Sequence, residues 1–140
     1  MDIMTLAILS MVLGGAMVFM VMDFVWLGTI MTSVYNTAYG AHIKLVGGMF
    51  QFKLLPALIL YPIIAFGLWY FVLSNPSLSW AEVAMRGAIL GFVMYAVYNL
   101  TCASILADYP WNIVFIDTAW GTFATTMTAL AMKGIQQFFS

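Results

Sequence analysis

The chain has 140 residues, 65% of them hydrophobic and 6% charged, and its mean hydropathy of +1.05 indicates an integral membrane protein rather than a soluble domain. The formal net charge of −1 comes from scattered ionic residues, which excludes a basic surface for nucleic acid. The single cysteine, Cys102, cannot form an internal disulfide, and the sequence offers no Cys/His set for a metal, so it indicates neither a metal site nor any particular cofactor.

Four long apolar stretches account for most of the chain, and each is long enough to cross roughly 30 Å of hydrocarbon as a helix. We place them at residues 4–31, 54–74, 81–107 and 111–138. The predicted fold is all-α, an integral membrane four-helix bundle that forms a single multi-pass domain in the lipid bilayer. The first stretch is longer than the core of a signal peptide, and we expect it to be a retained span.

The first span carries Asp23 and Trp26 near its far end, one helical turn apart and on the same face. A carboxyl group in hydrocarbon is costly unless it is paired or protonated, which makes Asp23 a candidate functional residue. The alternative is an interfacial tryptophan beside an acid that snorkels to the membrane surface.

The segment after the first span, residues 32–52, mixes polar, glycine and aromatic residues, and we predict a loop that lies partly at the membrane interface. It contains the only histidine, His42, which beside an aromatic belt is more typical of a surface residue than of a ligand. One histidine also cannot supply both axial ligands of a bis-histidine haem.

The third span has a pattern of small residues that is typical of membrane helix contacts. Ser79 and Glu82 fit the capping box that begins a helix, and Gly87 and Gly91 form a G-x-x-x-G motif. The motif predicts close packing of this helix against a neighbour.

A polar stripe continues along the same helix. Gly91, Tyr95, Asn99 and Cys102 follow one another at spacings of four, four and three residues, which places them on one face, and Tyr98 lies beside them. For the tyrosines, interior packing with a bonded hydroxyl explains the pattern as well as a functional role does.

The fourth span is predicted to begin at a short turn, with Asp108 as its N-cap and Pro110 in its first turn. Asp117 and Trp120 then lie on one face of this helix, as Asp23 and Trp26 do in the first span.

Polar residues of three spans are expected at one depth in the membrane. Because successive spans alternate in direction, Asp23, Asn99 and Asp117 each lie roughly 10 Å from the same boundary. Two carboxyl groups in a low dielectric do not both ionise readily, which suits proton handling or a hydrogen-bonded ligand. The candidate ligand-binding or proton-handling set, with the side chains about a turn from this layer, is Asp117, Asp23, Asn99, Trp120, Trp26, Tyr98 and Cys102.

Three functions are compatible with such a layer, and the favoured one is binding or passage of a small polar solute, a proton or a lipid headgroup. The second is an accessory subunit of a larger membrane complex or a homo-oligomer, in which twelve methionines and the glycine face pack on partner helices and the acids form an interhelical clasp. An intramembrane enzyme is favoured least, because the sequence lacks a Gly-x-Gly-Asp motif and a serine or histidine set.

The basic residues do not assign an orientation. Lys44 and Lys53 belong to one side of the membrane and Arg86 and Lys133 to the other, so the positive charges are evenly divided.

Taken together, these motifs resemble a family of small bacterial-type four-span membrane proteins that is catalogued only as a domain of unknown function. The matching elements span nearly the whole chain and are Asp23-x-x-Trp26-Leu-Gly28, Arg86-Gly87-Ala88-x-x-Gly91, Tyr95-Ala-x-Tyr98-Asn99-Leu-Thr101, the Pro110 turn and Asp117-x-Ala-Trp120-Gly121. The family usually shows Tyr-Asp-Leu-Thr-Asn where this chain has Tyr98-Asn99-Leu-Thr101-Cys102, so an amide replaces an acid and a thiol replaces an amide. The resemblance implies the four-span fold and the importance of the polar layer, and it implies no particular activity.

Overall fold

The computed structural model describes residues 2–40, 45–46, 49–50 and 53–139. Within these ranges, four helical segments are long and apolar enough to cross a membrane, namely Ile3–Ile30, Leu54–Leu73, Trp80–Ile105 and Trp111–Gln137. They confirm the predicted all-α membrane bundle and its multi-pass character. We number them spans one to four.

Span one consists of helix α1 (Ile3–Val25) and a π-helical turn, Trp26–Ile30. Asp2 is the N-cap of α1, and its side chain accepts a hydrogen bond of 2.7 Å from the Thr5 backbone N–H. The helix thus begins with one of its free backbone donors satisfied. The π-helical turn begins three residues after Asp23, and such turns are frequent at functional sites.

Helix α2 (Thr32–Tyr39) follows, so the prediction of a loop from residue 32 was wrong for this part of the segment. The physical reason is a short amphipathic pattern, in which Tyr35 is buried while Asn36 and Thr37 on the opposite side are exposed. Gly40 ends the helix with a positive φ of 49°, which glycine tolerates without strain.

Two short strands stand between α2 and span two, where the sequence also predicted a loop. β1 (Leu45–Val46) pairs with β2 (Met49–Phe50) in an antiparallel register that sets Leu45 opposite Phe50. His42 and Lys44 lie outside the described residues.

Span two contains helix α3 (Leu54–Leu68) and a second π-helical turn, Trp69–Leu73. Span three is helix α4 (Trp80–Ile105), and it begins with the predicted capping box, since Ser79 and Glu82 satisfy each other's backbone N–H groups.

Span four is helix α5 (Trp111–Gln137), and its start differs from the prediction. The N-cap position is held by Pro110, which offers no side-chain hydrogen bond, rather than by Asp108. Asp108, two positions before Pro110, instead adopts a left-handed conformation with a φ of 57°, and the chain reverses direction there.

A buried apolar core joins the four spans. Its fully buried members include Phe19 of α1, Leu68 of α3, Val83 of α4, and Ala124 and Met132 of α5. The large apolar side chains on the outside face the hydrocarbon, where exposure has no hydrophobic cost.

Helices α4 and α5 pack closely at the glycine motif. A Cβ added to Gly91 would lie 2.7 Å from Thr125 Cβ and 2.8 Å from the Gly121 carbonyl oxygen. A Cβ at Gly87 would lie 3.0 Å from Ala129 Cβ. The two backbones therefore touch only because these positions lack side chains.

Side chains near the C-terminal end of α5 form hydrogen bonds with the connection between spans two and three and with the end of span two. The buried Lys133 ammonium donates to the Pro76 carbonyl oxygen at 2.8 Å and to Gln136 Oε1 at 3.3 Å. Gln136 Nε2 in turn donates to the Leu73 carbonyl oxygen at 2.9 Å. These two side chains satisfy carbonyl groups that the end of span two leaves free.

Candidate functional site

The Asp117 carboxylate is the meeting point of three helices. The Tyr35 hydroxyl of α2 donates to Asp117 Oδ1 at 2.7 Å, and Asn99 Nδ2 of α4 donates to Asp117 Oδ2 at 2.7 Å. Asn99 is completely buried and Asp117 is partly buried. Both carboxylate oxygens thus receive a short hydrogen bond in a membrane-spanning segment.

Asn99 has all of its hydrogen-bonding groups engaged. Its amide nitrogen donates to the Tyr95 carbonyl oxygen at 2.9 Å as well as to Asp117, and its Oδ1 accepts from the Tyr109 hydroxyl at 2.9 Å. These partners fix which end of the amide is oxygen and which is nitrogen.

The hydrogen-bonded chain continues outward to α2. The hydroxyls of Tyr109 and Tyr39 lie 2.8 Å apart. Because the single proton of Tyr109 is directed to Asn99, Tyr39 must be the donor to Tyr109. Donors therefore point the same way from Tyr39 through Tyr109 and Asn99 to the carboxylate. We call Tyr35, Tyr39, Asn99, Tyr109 and Asp117 the Asp117 network.

The two α2 tyrosines remain donors over a wide pH range. Burial raises the pKa of Tyr35, and the nearby Asp117 charge and the hydrogen bond to it raise that pKa further. Burial likewise raises the pKa of Tyr39, together with its hydrogen bond to Tyr109. The hydroxyls consequently stay protonated and keep donating toward Asp117.

Asp23 lies in a second group beside the network. Its Oδ1 accepts from Trp120 Nε1 at 2.8 Å, and the Tyr61 side chain lies close enough to interact electrostatically with its carboxyl. The Trp26 indole stacks on that of Trp120, with ring centroids 4.3 Å apart and planes 1° from parallel. We call Asp23, Trp26, Tyr61 and Trp120 the Asp23 group.

The indole nitrogen of Trp26 stands out within the Asp23 group. It is buried and has no hydrogen-bond partner of ordinary geometry among the described residues, although the Tyr35 hydroxyl lies nearby. Trp26 thus brings a buried donor of the Asp23 group next to Tyr35 of the Asp117 network.

The structure brings most of the sequence-predicted site residues together, in two groups rather than one. Asn99 donates to Asp117 directly, whereas the hydrogen bond to Asp23 comes from Trp120. Tyr98 points away from the bundle with 61% of its surface exposed, and its hydroxyl interacts with the partly buried Cys102 thiol.

Four tyrosines of the two groups were not among the predicted site residues: Tyr35, Tyr39, Tyr61 and Tyr109. The available signal was the spacing of four between Tyr35 and Tyr39, which puts both rings on one helical face, where they stack at 5.9 Å. Tyr109 lies in the turn before span four and Tyr61 in a span without charged residues, so the sequence around them offers no comparable signal.

The chemistry of the site is that of a carboxylate held by neutral donors. In the part of the chain that the structure describes, the hydrogen bonds to Asp117 come from a phenol and an amide, with no Lys or Arg among them. In the same part of the chain, no three His, Cys, Asp or Glu side chains are close enough together to hold a metal ion.

The model of the family described as "Predicted membrane protein (DUF2177)" matches residues 8–133. The chain belongs to this family. The matched residues include every member of the Asp117 network and of the Asp23 group, so both lie within the part that the DUF2177 description covers. Comparison with curated proteins gives no match, and comparison with solved structures gives none either.

Proposed function

We propose that the Asp117 network takes up a proton or a small cationic solute from the side on which α2 lies and passes it through the membrane. The observation that carries this proposal is the absence of a cationic partner for Asp117 among the described residues, where its donors are Tyr35 and Asn99. An ionised carboxylate in hydrocarbon is costly, and hydrogen bonds offset only part of that cost. Binding of a proton or a cation to the carboxylate removes this cost.

The direction of the hydrogen bonds supports the same function. Donors from Tyr39, Tyr109 and Asn99 all point toward the carboxylate, and such chains polarise one another. Both carboxylate oxygens of Asp117 act as acceptors in this network, which is the arrangement that a proton or a cation can join. Tyr39 and Tyr109 lie outside the four spans, so the chain leads from the membrane boundary to the carboxylate.

The alternative is a clasp in an accessory subunit of a larger membrane complex. The same bonds join α2, α4 and α5, and a clasp needs the hydrogen bonds but no exchange of charge. The two functions differ in what happens when the carboxylate becomes an amide of the same shape.

The test compares wild type with Asp117→Asn in liposomes that contain a pH-sensitive dye. We expect proton uptake in the wild type and its loss to the level of empty liposomes in the variant. In the variant, the amide NH₂ group faces one of the two donors, Tyr35 or Asn99, and cannot accept its hydrogen bond. The free energy of unfolding should therefore fall by only about 1–2 kcal/mol. Glu82→Gln is the matched control, because glutamine preserves the capping box at the opposite side of the membrane.

Two results would contradict the proposal. The first is uptake in Asp117→Asn equal to that of wild type and of Glu82→Gln. The second is a wild type that takes up neither protons nor small ammonium ions and that co-purifies with partner membrane proteins, which would establish the accessory-subunit function instead.

A further inference from the structure

A groove open to the lipid lies between span one and span two, and Asp23 is part of its lining. It has a volume of about 760 Å³, and its walls are mainly apolar side chains of α3, among them Leu55, Ile59, Leu60 and Ile63, with Leu27 from span one. A groove with such walls accepts a hydrocarbon chain more readily than a polar solute.

A lysine lies at the end of this groove where α3 begins. Lys53 is exposed, lines the groove, and immediately precedes α3, which begins at Leu54. Apart from Lys44, the other basic residues of the sequence, Arg86 and Lys133, belong to the opposite side of the membrane. A lysine at the boundary attracts the anionic headgroup of a lipid.

The length of the groove matches a lipid in one leaflet. Along α3, the ten steps from Lys53 to Ile63 rise by roughly 15 Å, which is half of the hydrocarbon thickness of about 30 Å. An acyl chain whose headgroup meets Lys53 would therefore fill the groove from the boundary to the middle of the membrane.

The acidic residue in the lining of the groove, Asp23, does not repel an acyl chain. Asp23 lines the groove but is only 8% exposed, and its Oδ1 accepts a hydrogen bond from Trp120 of α5. Little of its carboxyl surface is thus presented to the groove.

We propose that this groove holds one acyl chain of an anionic phospholipid, whose phosphate pairs with the Lys53 ammonium. The site is separate from the Asp117 network and does not depend on the function proposed for it. The pairing gives the groove a preference for anionic over zwitterionic lipids with the same chains.

The experiment is native mass spectrometry of the purified chain titrated with phosphatidylglycerol or phosphatidylcholine carrying identical acyl chains. We expect one retained phosphatidylglycerol, bound about fivefold more tightly than phosphatidylcholine, as one basic residue near the membrane surface provides. Lys53→Gln should remove the preference and Lys53→Arg should keep it, while Arg86→Gln on the other side should leave it unchanged.

A second pair of variants tests the groove itself. Leu60→Trp fills it from an exposed position of α3, and we expect loss of the retained lipid with either headgroup. Ile89→Trp, at an exposed position of α4 that does not line the groove, is the matched control. Equal retention in all variants, or equal loss from Lys53→Gln and Arg86→Gln, would show that the lipid is a general annular one and overturn the proposal.

Discussion

At the scale of single residues, the site depends on hydroxyl groups that reach a carboxylate from a short helix outside the spans. Tyr35 is the only described α2 residue that bonds Asp117 directly, at 2.7 Å. Its ring also stacks on Tyr39, which begins the second route to the same carboxylate. Tyr35 therefore couples the position of α2 to the charge of Asp117.

Removal of that hydroxyl should destabilise the bundle. Tyr35→Phe leaves one Asp117 oxygen without its donor, and we expect the free energy of unfolding to fall by about 1.5–3 kcal/mol, as for hydrogen bonds to charged groups. Reversible unfolding in detergent micelles measures the change. Tyr70→Phe is the control, since Tyr70 is exposed and packs by ring contacts with Phe66 and Phe71. Equal stability of the two variants would mean that the Asp117 bond contributes nothing.

At the scale of helices, the four spans could be predicted from the sequence because about 20 consecutive apolar residues have few alternatives to a membrane helix. The common depth of Asp23, Asn99 and Asp117 follows from the rise per residue alone. Helix α2 could not be predicted in the same way, because eight mixed residues carry a weak periodic signal, and its stability comes from packing Tyr35 onto the bundle.

The partners of each polar group could not be predicted either. Depth places Asp23 and Asp117 in one layer, but rotation of the helices decides that Asp23 bonds Trp120 while Asp117 bonds Asn99. A rotation of one residue, about 100° on a helix of 3.6 residues per turn, would exchange such partners, and hydropathy does not specify it.

The α4 and α5 contact allows a prediction with an internal control. Gly91→Ala puts a methyl group 2.7 Å from Thr125 Cβ and 2.8 Å from a backbone oxygen of Gly121, which cannot move without shifting a helix. We expect a loss of about 1–3 kcal/mol in the free energy of unfolding. Gly67→Ala, in α3 with nothing within 4 Å, should be neutral or stabilise by about 0.5–1 kcal/mol. The order of the two melting temperatures checks the prediction, and a reversed order contradicts it.

At the scale of the whole molecule, hydrogen-bonded polar side chains lie toward both ends of the bundle. The Asp117 network and the Asp23 group lie toward the α2 side, and Lys133 and Gln136 bind the connection between spans two and three on the other side. The core between them is held by apolar packing. Each end of the bundle is thus fixed by hydrogen bonds to elements outside the core.

The hydrogen bond from Lys133 should stabilise the connection between spans two and three. Lys133→Met keeps the apolar stem but removes the donor to Pro76, and we expect faster amide hydrogen exchange at Ser77 and Leu78, which follow it in the same turn. The free energy of unfolding should fall by about 1–3 kcal/mol. Arg86→Met, on the same side of the membrane but exposed, should change neither quantity. Unchanged exchange in Lys133→Met would contradict this role.

Contacts between early and late parts of the chain delay completion of the fold until α5 has been made. The bond from Trp120 to Asp23 joins residues 97 apart, and the bond from Tyr35 to Asp117 joins residues 82 apart. Because synthesis runs from the N-terminus, the Asp23, Tyr35 and Asn99 side chains lack their α5 partners until that helix emerges. Arrival of the last helix is thus the step that turns four inserted segments into one folded protein.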